Sequence, residues 1–120
     1  MIQYLFLMLY CHFIDDYVLQ GVLAKMKQKK FWVENSPQSL YKYDYLMALL
    51  CHSLMWSISI MIPTIFTGHF IWWIVPINMV IHFIVDDLKA NKFKINLIID
   101  QSIHFIQVAI TFCVCYIWMV

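Results

Sequence analysis

Four long apolar stretches run along this chain, and short polar segments separate them. They lie near residues 2–22, 44–67, 70–88 and 97–119. A helix needs about 20 residues to cross the hydrocarbon core of a bilayer, and each stretch is near that length. The pattern predicts an all-α integral membrane protein, a single domain over residues 1–120 that forms a bundle of four transmembrane helices.

The polar segment between the first two stretches covers residues 25–44 and combines basic residues with apolar ones. Phe31, Trp32 and Val33 stand beside lysines in it. Aromatic and aliphatic side chains next to basic ones are typical of a segment that lies in the membrane interface. We therefore expect a short interfacial segment between the first and second membrane helices.

The composition indicates which solvent surrounds the protein. Of the 120 residues, 63% are hydrophobic and only 12% are charged, whereas about 25% of a typical soluble domain is charged. So few polar side chains cannot cover a water-exposed surface, so membrane lipids are the expected surroundings. The net charge is only +1, and we therefore expect no nucleic-acid partner.

All eight basic residues are lysines, and their positions predict the topology. They fall in the first and third connections only: Lys25, Lys27, Lys29, Lys30, Lys42, Lys89, Lys92 and Lys94. Because cytoplasmic loops carry the excess of positive charge, both connections are predicted to be cytoplasmic. Both termini would then lie outside, in a multi-pass protein of the inner (cell) membrane.

Each apolar stretch contains a histidine, and three of these histidines have an aspartate four residues away. The pairs are His12 with Asp16, His82 with Asp86, and Asp100 with His104, while His52 stands alone. Positions four apart lie on the same face of a helix. Ionisable residues inside a membrane are costly and are usually functional. The predicted topology places all seven side chains at a similar depth, near the cytoplasmic side.

This convergence predicts a metal site whose candidate ligands come from all four helices: His12, Asp16, His52, His82, Asp86, Asp100 and His104. Imidazole nitrogen and carboxylate oxygen together favour Zn²⁺, with Mn²⁺ or Fe²⁺ as alternatives. Seven groups exceed the needs of one zinc ion. The site could hold one or two ions, or some carboxylates could orient the imidazoles by accepting their second N–H.

Other polar residues lie beside these candidates. Lys89 follows Asp86 by three residues, so it could pair with Asp86 or meet an anionic substrate group, and we take Asp86 and Lys89 as candidate catalytic residues. Asp15 and Asp87 lack the four-residue spacing and are expected at the interface. The four cysteines have no C-x-x-C spacing and are expected to be small buried apolar residues, outside the site.

Taken together, these motifs resemble a family of small polytopic membrane proteins of bacteria and phages that is described only as a domain of unknown function. The shared pattern consists of H-x-x-x-D-x-x-x-Q, a histidine in the next span, H-x-x-x-D-x-x-K and D-Q-x-x-H. It is carried here by His12, Asp16 and Gln20, by His52, by His82, Asp86 and Lys89, and by Asp100, Gln101 and His104. The resemblance covers nearly the whole chain and implies no activity. In its style of site, the chain is also similar to inner-membrane families described as metal-dependent hydrolases.

The first hypothesis for function is therefore a membrane-bound metal-dependent hydrolase that acts on an amphiphilic substrate at the cytoplasmic leaflet. The second is a transporter or channel for a divalent cation or a proton, which would use the same ligands in transit. The outer halves of the predicted helices are poor in polar groups, which favours the hydrolase. Haem ligation by two histidines and a purely structural role are further alternatives, and a homo-oligomer is compatible with so small a bundle.

Overall fold

Six α-helices run through residues 1–118, the part of the chain that the computed structural model describes. They are α1 (Ile2–Phe13), α2 (Leu23–Met26), α3 (Lys29–Asn35), α4 (Asp44–Phe66), α5 (Ile74–Ala90) and α6 (Leu97–Cys113). Short π-helical segments extend α1 over Ile14–Leu19 and α6 over Val114–Trp118. No strand occurs in this part of the chain, so the predicted all-α class is confirmed.

The four long helices form a closed ring. α1 packs against α4 and α6, and α5 packs against the same two helices from the other side. The short helices α2 and α3 lie on α4, and a 3₁₀ turn at Ser39–Tyr41 leads into it. Each long helix therefore presents one face to a common interior, which is the arrangement that a four-helix bundle requires.

Two helical stretches are long and apolar enough to cross a membrane, Ser39–Phe66 and Leu97–Trp118. The other two long helices fall outside this pair. α5 has seventeen residues and includes Asp86 and Asp87, while the π-helical end of α1 carries Asp15 and Asp16. The aspartates that are candidate ligands in these helices also lower the mean hydropathy of the helices.

The interior has two layers along the bundle axis. The layer nearer the chain termini is mainly apolar and includes Met8, Trp56, Ile60, Met61 and Val108, with the bonded pair Asn78 and Thr111 among them. The other layer contains the histidines and aspartates of the predicted site. Within residues 1–118, sixteen polar or charged residues are buried, against thirteen hydrophobic ones, which reverses the usual arrangement of a water-soluble domain.

The helix ends differ in two places from the predicted stretches. The first stretch, predicted to reach residue 22, ends at Leu19 because Gly21 adopts a left-handed conformation with φ of +53°. The third stretch, predicted over 70–88, is helical over Ile74–Ala90. Its charged end remains helical because Asp86 and Lys89 find partners inside the bundle.

The cysteines are only partly where the sequence predicts them. Cys115 is buried and Cys11 is half-buried, but Cys51 and Cys113 lie on the outer surface of the bundle. The prediction that all four are buried was therefore wrong. An apolar thiol on an outer helix face is expected where that face contacts lipid rather than water.

Replacing Gly21 by alanine should destabilise the fold. The added Cβ would have space, since its nearest neighbour is the Leu19 carbonyl oxygen at 3.9 Å. The left-handed backbone itself costs an alanine about 1 kcal/mol, and asparagine tolerates it better. We expect the free energy of unfolding to fall by about 1 kcal/mol in Gly21→Ala and by less in Gly21→Asn, measured by denaturant titration in detergent. Equal stability of all three proteins would contradict the assigned backbone conformation.

Candidate metal centre

The seven predicted ligand residues meet in one buried network. His52 Nε2 lies 3.1 Å from Asp16 Oδ1 and 3.1 Å from His82 Nε2. His104 Nε2 lies 3.5 Å from Asp86 Oδ1 and 3.4 Å from Asp100 Oδ1. All four histidines are fully buried. The spacing in the sequence thus identified side chains that the fold brings together from four helices.

The π-helical segment at the end of α1 places two neighbouring carboxylates inside the bundle. Such segments are rare and often occur at functional sites. Asp15 and Asp16 are both buried. Asp15 Oδ2 accepts a hydrogen bond of 2.7 Å from Ser59, and its Oδ1 lies 3.7 Å from His52 Nδ1. The prediction that Asp15 lies at the interface was therefore wrong.

His12 belongs to the network but both of its ring nitrogens are engaged. Trp56 Nε1 donates to His12 Nδ1 over 2.8 Å. An indole N–H can only donate, so Nδ1 is unprotonated and the proton of the neutral ring lies on Nε2. That nitrogen donates to Gln101 Oε1 at 3.0 Å. His12, predicted as a metal ligand, has no free nitrogen in this arrangement.

Gln101 connects His12 to two aspartates through hydrogen bonds. Because its carbonyl oxygen accepts from His12, its amide nitrogen is the atom that faces the carboxylates. It donates to Asp16 Oδ2 at 3.0 Å and to Asp100 Oδ2 at 2.9 Å. The Gln101 amide therefore fixes the carboxylate of Asp16, from the π-helical extension of α1, and that of Asp100, from its own helix α6. The remaining oxygens of both aspartates are left to face the histidines.

His104 is oriented in a similar way from the other side of the cluster. Gln107 Nε2 donates to the backbone carbonyl of Asn78 at 3.2 Å, so Gln107 Oε1 is the acceptor that lies 2.9 Å from His104 Nδ1. The proton of the neutral His104 ring is therefore on Nδ1. The lone pair of Nε2 then points at the carboxylates of Asp86 and Asp100.

Six side-chain atoms of the cluster have no hydrogen-bond partner within the described residues: Asp15 Oδ1, His52 Nδ1, His82 Nδ1, His104 Nε2, Asp86 Oδ1 and Asp100 Oδ1. The last three, from His104, Asp86 and Asp100, lie close to one another. All three residues are almost completely buried. A nitrogen lone pair and two carboxylate oxygens repel one another at these distances. Buried polar atoms of native proteins are nearly always satisfied, so we expect a water molecule, a cation or a proton on His104 Nε2 between them.

Three overlapping groups of these residues could hold a metal ion, with ligand atoms that all lie within 4.8 Å of one another. The groups are Asp16 with His52 and His82, His82 with Asp86 and His104, and Asp16 with Asp100 and His104. They share members, so the cluster is continuous. His12 is in none of these groups, in agreement with its occupied nitrogens.

Two lysines complete the electrostatics of the cluster. Lys27 Nζ lies 2.7 Å from Asp86 Oδ2, and both side chains are buried. Lys89 Nζ lies 2.8 Å from Asp100 Oδ2, with 28% of its side chain exposed. The suggested pairing of Lys89 with Asp86 was wrong, because Lys27 takes that place. Sequence reasoning missed Lys27, which is one lysine among five in its segment.

The network holds more negative than positive charge. It includes four buried carboxylates, from Asp15, Asp16, Asp86 and Asp100, but only two ammonium groups. Uncompensated charge in a low-dielectric interior is very costly. A divalent cation would neutralise the excess, and so would protons on the imidazoles or carboxylates. The donor set of imidazole nitrogens and carboxylate oxygens suits Zn²⁺, Mn²⁺ or Fe²⁺.

The fold and the cluster define a class: an all-helical bundle with a histidine and aspartate cluster buried among its four long helices. Comparison with protein families identifies the family of the chain. It belongs to the family described as Protein of unknown function (DUF3307), which matches residues 4–119. No curated protein and no solved structure matches the chain. The family match covers almost all of the chain and leaves the His/Asp pattern as a prediction.

Truncation of Lys27 should leave the Asp86 carboxylate buried without its cation. Removing one partner of a buried ion pair typically costs about 3–5 kcal/mol. We expect a loss of this size in the free energy of unfolding of Lys27→Ala, measured by denaturant titration after treatment with a chelator. Lys25→Ala is the matched control, since Lys25 lies two residues earlier in the chain and is exposed.

The double variant Lys27→Ala with Asp86→Ala completes this thermodynamic cycle. It should be more stable than Lys27→Ala alone, because the unpaired carboxylate is gone. Equal stability of Lys27→Ala and Lys25→Ala would show that the ion pair with Asp86 does not form.

Proposed function

We propose that this chain is an integral membrane metalloprotein that binds one or two divalent cations in its His/Asp cluster and acts as a hydrolase on an amphiphilic substrate. The observation that carries the proposal is the convergence of His104 Nε2, Asp86 Oδ1 and Asp100 Oδ1, which are buried and lack partners. In this proposal the protein spans the inner membrane four times. Both termini lie outside and both lysine-bearing connections are cytoplasmic.

The distribution of side chains supports insertion of all four long helices. Large apolar side chains cover the outside of the bundle on every long helix, for example Phe6 (64% exposed), Ile58 (45%), Val80 (52%) and Ile106 (58%). Exposed apolar surface on this scale marks contact with a membrane or with protein. The polar groups of α1 and α5 point inward, so their reduced hydropathy does not prevent contact with lipid.

The donor set supports a metal rather than a proton alone. The Nε2 atoms of His52, His82 and His104 all face the cluster, as do oxygens of three aspartates. The other nitrogen of His104 is held by Gln107, whereas Nδ1 of His52 lies 3.7 Å from Asp15 and Nδ1 of His82 has no partner among the described residues. Ligating histidines usually have an outer partner such as Gln107, which fixes the ring and its tautomer. Among the candidate metals we favour Zn²⁺, which is commonly bound by histidine and carboxylate.

The apolar layer supports a site that opens toward one side of the membrane. Met8, Ile60 and Val108 fill the interior between the cluster and the termini. The buried polar residues there are bonded within the bundle. Ser57 and Thr64 each donate to a backbone carbonyl of their own helix, and Asn78 donates to Thr111. A transporter needs polar groups across the whole bilayer. We therefore place the transporter second to the hydrolase.

The packing of the imidazoles speaks against haem. The rings of His82 and His104 are stacked with centroids 4.1 Å apart, and Trp56 stacks on His82 at 4.3 Å. Two axial ligands must stand on opposite faces of a porphyrin, and these contacts leave no space for one. The partnered aspartates have no role in haem ligation either.

The residues of the cluster have distinct roles in the proposed hydrolysis. A bound divalent ion supplies activation of water and polarisation of the substrate. Asp86, with one oxygen held by Lys27 and the other facing His104, would hold that ion in place. Lys89 is the most exposed charged group of the cluster and meets an anionic group of the substrate. His12 and Gln101 keep the carboxylates of Asp16 and Asp100 in place.

Elemental analysis of the detergent-purified protein tests the metal site. We expect at least one divalent metal ion per chain in the unaltered protein and none in the double variant His82→Ala with His104→Ala. The matched control is His69→Ala, because His69 lies in the turn between α4 and α5, away from the cluster. It should keep the full metal content.

A His12→Ala variant adds a second comparison. Since His12 orients carboxylates without a free nitrogen, it should keep the metal at saturation but bind it about 10–100-fold more weakly. Equal, substoichiometric metal in the unaltered protein and in the double variant would overturn the metal site.

Reconstitution into liposomes separates hydrolysis from transport. With metal supplied, we expect release of product from a panel of amphiphilic phosphodiesters, esters and amides, and loss of that activity in His82→Ala with His104→Ala. An indicator dye inside the same liposomes should report no metal flux, because the apolar layer blocks the path. Metal flux without hydrolysis would make the protein a transporter.

A further inference from the structure

A groove of about 320 Å³ lies outside the cluster, between α3 and the start of α4. Its walls are aromatic and apolar, with Trp32 and Tyr41 stacked at 6.5 Å between ring centroids and Val33 and Pro37 beside them. Trp32 is fixed in place by a hydrogen bond from its Nε1 to the Met26 carbonyl. The groove is therefore built by ordered side chains of the predicted interfacial segment.

Two lysines with no acidic partner stand at this groove. Lys29 Nζ lies 5.0 Å from the ring centre of Tyr45, and Lys42 Nζ lies 5.4 Å from that of Tyr43. In residues 1–118, neither lysine has a carboxylate within 4 Å, whereas four other lysines do: Lys27, Lys30, Lys89 and Lys92. The groove thus combines two uncompensated positive charges with an apolar wall.

The polar side chains of the groove can also bind an anion. Ser36, Gln38 and Ser39 line it together with the two lysines. Hydroxyl, amide and ammonium groups all donate hydrogen bonds to phosphate oxygens. A free phosphate would use these donors but would leave the apolar wall in contact with water. A molecule with both a phosphate and an acyl chain uses both.

We propose that this groove binds one anionic phospholipid, with its phosphate between Lys29 and Lys42 and the first part of an acyl chain against Trp32 and Val33. The proposal rests on the membrane insertion put forward above, but not on the metal or on hydrolysis. Lysines beside interfacial aromatic residues are the usual means of holding anionic headgroups at a membrane surface.

The groove is also linked to the segment that carries Lys27. Asn91 Oδ1 accepts from the backbone N–H of Lys29 at 2.7 Å, and Asn91 Nδ2 donates to the Lys27 carbonyl at 3.0 Å. The backbone that presents Lys29 to the groove is therefore the one that presents Lys27 to Asp86. A lipid in the groove would therefore contact the segment that also presents Lys27 to Asp86.

Native mass spectrometry of the purified protein tests this site. The protein in neutral detergent is titrated with short-chain phosphatidylglycerol, and in parallel with phosphatidylcholine of the same chain length. We expect one phosphatidylglycerol to bind with clear preference over phosphatidylcholine. In Lys29→Gln with Lys42→Gln, its binding should weaken about thirty-fold, from the contribution of two lysines near a lipid surface.

The control is Lys25→Gln with Lys94→Gln, which removes the same charge from two exposed lysines that do not line the groove. It should bind phosphatidylglycerol as the unaltered protein does, and all proteins should have equal thermal stability. Equal weakening in both double variants would show that only overall charge matters and would overturn the site. Full competition by inorganic phosphate would show a phosphate site without a lipid, and would also overturn it.

These outcomes are independent of the metal experiment. Absence of metal with selective lipid binding would refute the metalloprotein and keep the groove. Retained metal with equal binding of both lipids would refute the lipid site in the groove and keep the metalloprotein.

Discussion

The structure depends on the need to neutralise carboxylates that four helices bury together. In an interior of low dielectric, an aspartate without a cation or hydrogen bonds costs more than most folds can tolerate. This chain meets the need for Asp86 and Asp100 with Lys27 and Lys89, each over less than 3 Å. Lys27, just after α2, and the amide of Gln101 both serve this one requirement.

The polar and apolar layers stabilise the bundle through different interactions. In the proposed membrane location, helices would gain little from burying apolar side chains against one another, because acyl chains are equally apolar. Interhelical hydrogen bonds and ion pairs then contribute to holding them together, and the cluster supplies both across all four long helices. The apolar layer supplies close packing instead, for instance around Trp56, whose indole also donates to His12. Trp56 therefore joins the two layers.

The four-residue spacing was sufficient to predict that the three histidine and aspartate pairs face the interior, because that spacing fixes a helix face without knowledge of the partner helix. It was not sufficient to assign their roles. Whether His12 has a free nitrogen depends on Trp56 and Gln101, which are 44 and 89 residues away in the sequence. The burial of Asp15 depends on a π-helical segment and on Ser59. Lys27 reaches Asp86 across 59 residues, and no local pattern separates it from the lysines around it.

The fixed tautomers explain why the cluster is suited to a metal and not only to protons. A proton shared between His104 and Asp86 would satisfy one orphaned oxygen, but Asp100 Oδ1 would still face the same nitrogen at 3.4 Å. A divalent ion accepts a lone pair from the nitrogen and from both oxygens at once. The hydrogen bond from His104 Nδ1 to Gln107, and the chain from Trp56 through His12 to Gln101, hold those lone pairs inward. Such an arrangement would gain further stabilisation from a bound cation.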